Sequence, residues 1–310
     1  VSFTRFYEIG MSYRGRFAPT PSGPLHFGSL VAALASALDA AAQGGEWLLR
    51  IEDVDTPRVV PGAAEAILRE LERLGFAWSG SVIWQSERVG AYQAAFAQLR
   101  ERGLIYPCAC TRKEMADSAL ASDGSRRYPG TCRGGLPPGR EPRAWRLCVP
   151  GGGVAFHDRI QGRVVQDVAA DGGDFVVLRA DGVFAYQLAV VVDDAAQGVS
   201  DVVRGADLLD STLRQRVLQQ ALGLPAPRYA HVPVVLDASG DKLSKQTLAA
   251  PLAAWPAGQA LCAALRFLGQ AVPQDLESAG VEAIWRFART HWAIEQVPSV
   301  RGAAVVVPVG

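Results

Sequence analysis

The chain has 310 residues, 49% of them hydrophobic, and its 31 Lys+Arg balance 31 Asp+Glu. That is enough for one large domain or two smaller ones with a sizeable core. With no net charge, a nucleic-acid partner has to be met by a local basic face and not by a global field. No apolar run is long and charge-free enough to span a bilayer, so no membrane role is expected.

The first ten residues lack the basic region and apolar core of a signal peptide, and Met11-Ser-Tyr-Arg14 reads as a start, so residues 1–10 are read as an extension outside the fold. Arg14 to Phe17 reads as a strand closing on a turn, because Pro19, Pro21, Gly23 and Pro24 forbid regular structure. Leu30, Val31, Leu34 and Leu38 then recur at helical spacing. Gly23 and Gly28 let the backbone and the helix N-terminus come close to an anion; an ordinary strand-turn-helix connection is the plain alternative. Glu46-Trp-Leu-Leu-Arg-Ile-Glu-Asp53 is an apolar run that breaks into charge, as a buried parallel strand does at its carboxyl end. Glu52, Asp53 and Asp55 gather there. Helices are predicted after Pro61, with Ile67, Leu71 and Leu74 on one face, and after Ser86, with Tyr92, Phe96 and Leu99 on one face; Gly75 and Gly103 stop them. Residues 11–107 therefore read as the first half of an open α/β domain.

Cys108-Ala-Cys110 and Tyr128-Pro-Gly-Thr-Cys132 interrupt that pattern. Five cysteines make no disulfide framework in a chain this long; with no signal peptide they point to a cytoplasmic protein, and their clustering points to metal. Three soft ligands suit tetrahedral zinc, whose closed site needs a fourth. Cys148 is one choice, although its apolar run suits the core; Tyr128 is another, chemically unusual but in the right place. Reduced, unligated cysteines under a loop are the alternative. Residues 144–167 alternate as one small antiparallel unit, so 108–170 reads as an insertion. From 171 to 250 the α/β theme resumes. A hairpin is predicted from Asp174 through Asp181-Gly182 to Val183, followed by the apolar run Tyr186 to Asp194, a strand over Val199–Arg204, a helix carrying Leu208 to Leu218, and one last strand over Tyr229–Leu236. Asp237-Ala-Ser-Gly-Asp-Lys-Leu-Ser-Lys-Gln246 sets Lys242 and Lys245 on a glycine turn, where they can deliver charge to a polyphosphate as it reacts; a solvated loop is the alternative. Residues 251–310 read as a short helical region with Leu261, Leu265 and Leu268, ending in a Val-rich tail of no predicted structure.

Pro24-Leu-His-Phe-Gly-Ser29 and Lys242-Leu-Ser-Lys-Gln246 together resemble the two signature motifs of class I aminoacyl-tRNA synthetases, HIGH and KMSKS. With Arg16-Phe-Ala-Pro-Thr-Pro-Ser-Gly23, Arg50-Ile-Glu-Asp53, Tyr186 to Asp194 and Val203-Arg-Gly-Ala-Asp-Leu208, the chain resembles the glutamyl branch of that class from Arg14 to about Leu252. Only 64 residues follow Gln246, too few for that branch's helical anticodon-binding region. The cysteine cluster and the motif forms H-F-G-S and K-L-S-K-Q resemble a truncated group within the branch.

That resemblance implies a Rossmann-like catalytic domain with a zinc-containing α+β insertion and a short helical C-terminal region. It implies ATP-dependent activation of L-glutamate with Mg²⁺, and transfer to the queuosine base at the wobble position of tRNA(Asp) instead of to a 3′ end. The partner is then the anticodon stem-loop, with Arg126 and Arg127 near its phosphates, and the protein a monomer. Arg16, Ser22, Glu52, Tyr186 and Arg204 are the implied glutamate site, and guanidinium forks suit carboxylates. His26, Gly28 and Lys245 are the implied ATP site, with Ser29 and Lys242 beside them in catalysis; Ser29 replaces the second His of the usual motif. Cys108, Cys110, Tyr128 and Cys132 align with the zinc ligands. A truncated glutamate-activating enzyme with another acceptor, a tRNA 3′ end or a carrier, and a non-catalytic tRNA-binding relative are the alternatives.

Overall fold

The computed structural model of the chain describes residues 12–116, 118–237, 240 and 252–305. Strand β1 (Arg14–Phe17) runs into the proline loop, and α1 (Phe27–Ala42) begins where His26 caps it, its Nδ1 accepting from the Ser29 backbone N–H at 3.3 Å. Leu30, Val31, Leu34 and Leu38 are buried as their spacing predicts, and Ala33, Ala35 and Ala40 are small enough to let the sheet approach. β2 (Glu46–Ile51) pairs parallel with β1 and enters through Gly45, where a Cβ would lie 2.3 Å from the Tyr13 carbonyl oxygen. α2 (Ala63–Arg73) buries Ile67 and Leu71. β3 (Ile83–Trp84) pairs parallel with β2, and α3 (Val89–Glu101) buries Tyr92 and Leu99.

β4 (Ile105–Cys108), β5 (Ala144–Leu147), β6 (Val154–Asp158), β7 (Gly162–Gln166), the one-turn α4 (Val168–Asp171) and β8 (Val176–Leu178) come next. Then follow α5 (Tyr186–Ala196), β9 (Asp201–Gly205), α6 (Leu209–Leu222), β10 (Arg228–Val232) and β11 (Val234–Leu236). Three expectations are corrected here. The segment 144–167 is not one antiparallel unit. β5 pairs with β4 and β8, while the β6–β7 hairpin joins β10, because Pro150-Gly-Gly-Gly153 breaks the chain between them. The second arm of the hairpin after Gly182 is a single bridge, Leu178 to Phe184, since the chain turns into α5 directly after it. The last strand is two strands, because Pro233 has no N–H for the ladder; β10 pairs with β9, and β11 pairs with β12 (Gly302–Ala304) in the Val-rich tail.

β9 lies beside β1, tied by the Ser200 N–H to the Arg14 carbonyl at 3.0 Å. Two sheets, β3-β2-β1 and β9-β10-β6-β7, therefore abut at β1 and β9, and every strand pairing in them is parallel except β6 with β7. Order reverses between β1 and β9, and open α/β sheets bind ligands at the carboxyl ends of strands at such a reversal. The antiparallel sheet β4-β5-β8 straddles the expected insertion limits, starting before residue 108 and ending after 170. α7 (Ala257–Phe267) and α8 (Val281–His291) pack on α1 and α2 within the main core: Phe27 stacks on Trp255, and Trp285 donates its indole N–H to the Leu74 carbonyl at 2.8 Å. Among the described residues no helix is long and apolar enough to cross a membrane.

Candidate active site

The strand-order reversal opens into a cavity of about 210 Å³. Arg16, Glu52, Tyr186 and Arg204 line one part of it; His26, Gly28 and Ser29, at the α1 N-terminus, line another. Ser22 is half-buried in the preceding loop and is not on the cavity wall. Lys242 and Lys245 lie outside the described residues.

The part of the cavity lined by Arg16 and Glu52 stands on buried ion pairs. Arg16 at the end of β1 donates from Nε and Nη2 to the two carboxylate oxygens of Asp194, at 3.1 and 3.4 Å. Its Nη1 has no hydrogen-bond partner among the described residues. Arg50, fully buried, binds Asp194 at 2.8 Å, Gln197 at 2.7 Å and Glu52 at 3.3 Å. Burial acts to raise the Asp194 carboxyl, but Arg16 and Arg50 together hold it below the usual carboxylate range. Glu52 goes the other way. Burial raises it, and Arg50 and Arg16 offset that only in part. An ammonium placed beside it would favour its ionised form. Removing one partner from such a buried cluster costs on the order of 3–5 kcal/mol.

Arg204, at the carboxyl end of β9, lines the same cavity as Arg16. Its Nη1 donates to the Tyr186 hydroxyl at 3.4 Å, and its Nη2 donates to Thr212 at 2.8 Å and Gln215 at 2.7 Å, both on α6. Burial pushes the Tyr186 hydroxyl up, so it stays protonated and can donate to a ligand. Two guanidinium groups, a carboxylate and a phenol around one small space suit an amino acid with an extra carboxylate. The α1 N-terminus next to them suits an anion; a Cβ on Gly28 would press on the His26 ring at 3.1 Å.

Asp194, Arg50, Thr212 and Gln215 were not singled out from the sequence as site residues. A signal existed for the first two: Arg50 and Asp194 are charges embedded in apolar runs, which calls for a buried partner. Thr212 and Gln215 carry no such mark.

A second cluster lies over β4. The sulfurs of Cys108, Cys110 and Cys132 all lie within 4.8 Å of one another, with Cys110 and Cys132 3.7 Å apart. Tyr128 Oη is 3.4 Å from Cys108 and 3.8 Å from Cys110. A tetrahedral zinc with bonds of ~2.3 Å to sulfur and ~2.0 Å to oxygen sets ligand spacings of about 3.8 and about 3.5 Å. The donor set fits that ion. Charge compensation is built in: the Cys132 N–H donates to Tyr128 Oη at 2.9 Å, Arg146 Nε donates to Cys108 at 3.3 Å, and the Arg146 guanidinium sits 3.7 Å over the Tyr128 ring. Cys148 is not part of the cluster; the Arg133 guanidinium donates to it at 2.9 Å.

Residues 12–255 match the family described as tRNA synthetases class I (E and Q), catalytic domain. The chain is 64% identical over 286 residues to a protein of Aromatoleum aromaticum named glutamyl-Q tRNA(Asp) synthetase, covering 92% of this chain and 90% of that one. It is 59% identical over 298 residues to a protein of the same name from Dechloromonas aromatica, covering 96% and 98%. Among solved structures it is similar to the glutamate-tRNA synthetase of Elizabethkingia anophelis, with a TM-score of 0.77 at 26% identity, covering 95% of this chain and 68% of that one. A glutamate tRNA ligase from Elizabethkingia meningosepticum in complex with its amino acid gives the same score and identity over 67% of its length.

Proposed function

The chain belongs to the class I tRNA synthetases of the E and Q group, and from that premise we propose that it activates L-glutamate with ATP and transfers the glutamyl group to the queuosine base at the wobble position of tRNA(Asp), leaving 3′ ends uncharged. The observation that carries the first step is the convergence of Arg16, Arg204, Glu52 and Tyr186 on one cavity beside the α1 N-terminus. In this reading the guanidinium groups hold the side-chain carboxylate and Glu52 receives the α-ammonium. The free α-carboxylate is thereby left to attack the α-phosphate of ATP, giving glutamyl-adenylate and pyrophosphate. Positioning and charge stabilisation do most of the work. His26, Gly28 and Ser29 hold the nucleotide at the helix N-terminus, and Lys242 and Lys245 meet the leaving phosphates. Mg²⁺, when bound with ATP, neutralises phosphate charge. Ser22, off the cavity wall, is proposed to contact glutamate only through its loop.

The acceptor rests on the relatives named for glutamyl-Q tRNA(Asp), which this chain matches over 90% and 98% of their length, against 68% of a glutamate-tRNA synthetase. Cys108, Cys110, Tyr128 and Cys132 are proposed to hold one structural zinc that fixes the insertion, whose arginines then meet the anticodon stem-loop. The protein is proposed to act as a cytoplasmic monomer, where its three substrates meet.

ATP–pyrophosphate exchange tests the first step. Exchange stimulated by glutamate without any tRNA, and at least tenfold weaker with glutamine, is expected. Exchange that ignores glutamate contradicts the reading.

A further inference from the structure

Arg204 differs from the other buried arginines of the site in one respect. Arg16 and Arg50 both bind Asp194, but among the described residues no carboxylate lies within ion-pair distance of Arg204. Its back is held by neutral groups, and one of these is a histidine that the proposed reaction does not use. We propose that His231 and Asp158 are a positioning pair for Arg204: they lock its guanidinium so that only the Nη1 edge faces the glutamate cavity, and they leave its charge for the substrate. The inference rests on the glutamate reading above.

The geometry is closed from the far end. Asp158 is fully buried at the tip of β6. Its Oδ1 accepts the backbone N–H groups of Ile160 at 3.0 Å, Gln161 at 2.8 Å and His231 at 3.1 Å. Its Oδ2 is 2.6 Å from His231 Nδ1. An ionised carboxylate can only accept, so Nδ1 carries the proton. Nε2 is then a lone pair, 3.1 Å from both Arg204 Nε and the Thr212 hydroxyl oxygen, which itself accepts from Arg204 Nη2. An imidazolium would set N–H against N–H at the Arg204 contact. Burial first, and the Arg204 charge with it, push His231 down to about 4 against the opposing pull of Asp158 and Asp207. The ring is neutral at pH 7 and cannot flip without losing one bond or the other.

The donors of Arg204 can then be counted. Nε is spent on His231 and Nη2 on Thr212 and Gln215, while one Nη1 hydrogen goes to Tyr186. One N–H on Nη1 is left for a ligand, in a fixed direction. A carboxylate in place of His231 would hold the guanidinium as well but would neutralise the charge the substrate needs. This also gives the β6–β7 hairpin a function. Its parallel pairing with β10, Tyr229 opposite Asp158, brings that carboxylate under His231.

The test compares the wild-type protein with His231→Gln and His231→Phe in glutamate-dependent ATP–pyrophosphate exchange, together with ¹⁵N NMR of the wild-type histidines. A Gln carbonyl can still accept from Arg204 Nε; Phe keeps the shape and removes the acceptor. We expect His231→Phe to raise the KM for glutamate at least tenfold with the KM for ATP unchanged, and His231→Gln to recover it to within about threefold. NMR should show one histidine with Nδ1 protonated and Nε2 bare, not titrating between pH 6 and 8. A Phe variant with wild-type glutamate KM, an equal rise in both KM values, or a His231 protonated on Nε2 overturns the positioning role alone. A wild-type protein that shows no glutamate-stimulated exchange overturns the glutamate reading instead. If neither variant folds, the NMR result decides.

Discussion

Glu52 is a carboxylate that burial pushes up and that Arg50 holds in place at 3.3 Å, so its charge is available but not saturated. Glu52→Gln keeps the shape and removes that charge. We expect the KM for glutamate to rise at least tenfold while the KM for ATP stays within twofold, measured by pyrophosphate exchange; a parallel rise in both would mean a general collapse of the site. His231 makes a second prediction at this scale. Its folded value of about 4 lies below the ordinary ~6.5 of an exposed histidine, so the unfolded chain binds the extra proton first as pH falls. Stability is therefore full above pH ~6.5 and is lost as pH falls from there towards 4, and urea midpoints across that range should decline. His231→Phe should flatten the decline. Arg16, Glu52 and Arg204 were legible in the sequence because each is a charge next to an apolar run within a recognisable motif. Asp158, His231 and Thr212 were not. They meet only because β6, β10 and α6 converge, and spacing along the chain carries no record of that meeting.

Among the elements, α1 and β2 were readable from periodicity alone, because a buried helix and a buried parallel strand each leave an unbroken apolar pattern. The hairpin β6–β7 was placed in the wrong sheet. Alternation identifies a strand's faces but not its partner, and the glycine-rich break at 151–153 was the only hint that partners change. Pro233 was a clearer signal that one strand is two. The cysteine cluster was visible as a spacing, and the structure adds the distances that fit zinc. Purified protein should carry about one zinc per chain. Cys132→Ala should lose it and lower the melting temperature, with glutamate-dependent exchange kept within about threefold, because the cluster packs apart from the main core. Zinc content unchanged in that variant would remove Cys132 from the ligand set.

At the scale of the whole molecule, the abutting sheets β3-β2-β1 and β9-β10-β6-β7 put Arg16, Glu52, Tyr186, Arg204 and the α1 N-terminus at one reversal point. The motif segments that supply them are separated by most of the chain. α7 and α8 share the core with α1, so the C-terminal region braces the site and is not an independent module. The most direct test of the acceptor is transfer of labelled glutamate to purified tRNA(Asp) with and without queuosine, and to tRNA(Glu), with nuclease mapping of the label. Label in the anticodon fragment of queuosine-containing tRNA(Asp), and none on the other two, is the expected result. Label at the 3′ end of tRNA(Glu), with tRNA(Asp) untouched, would contradict it.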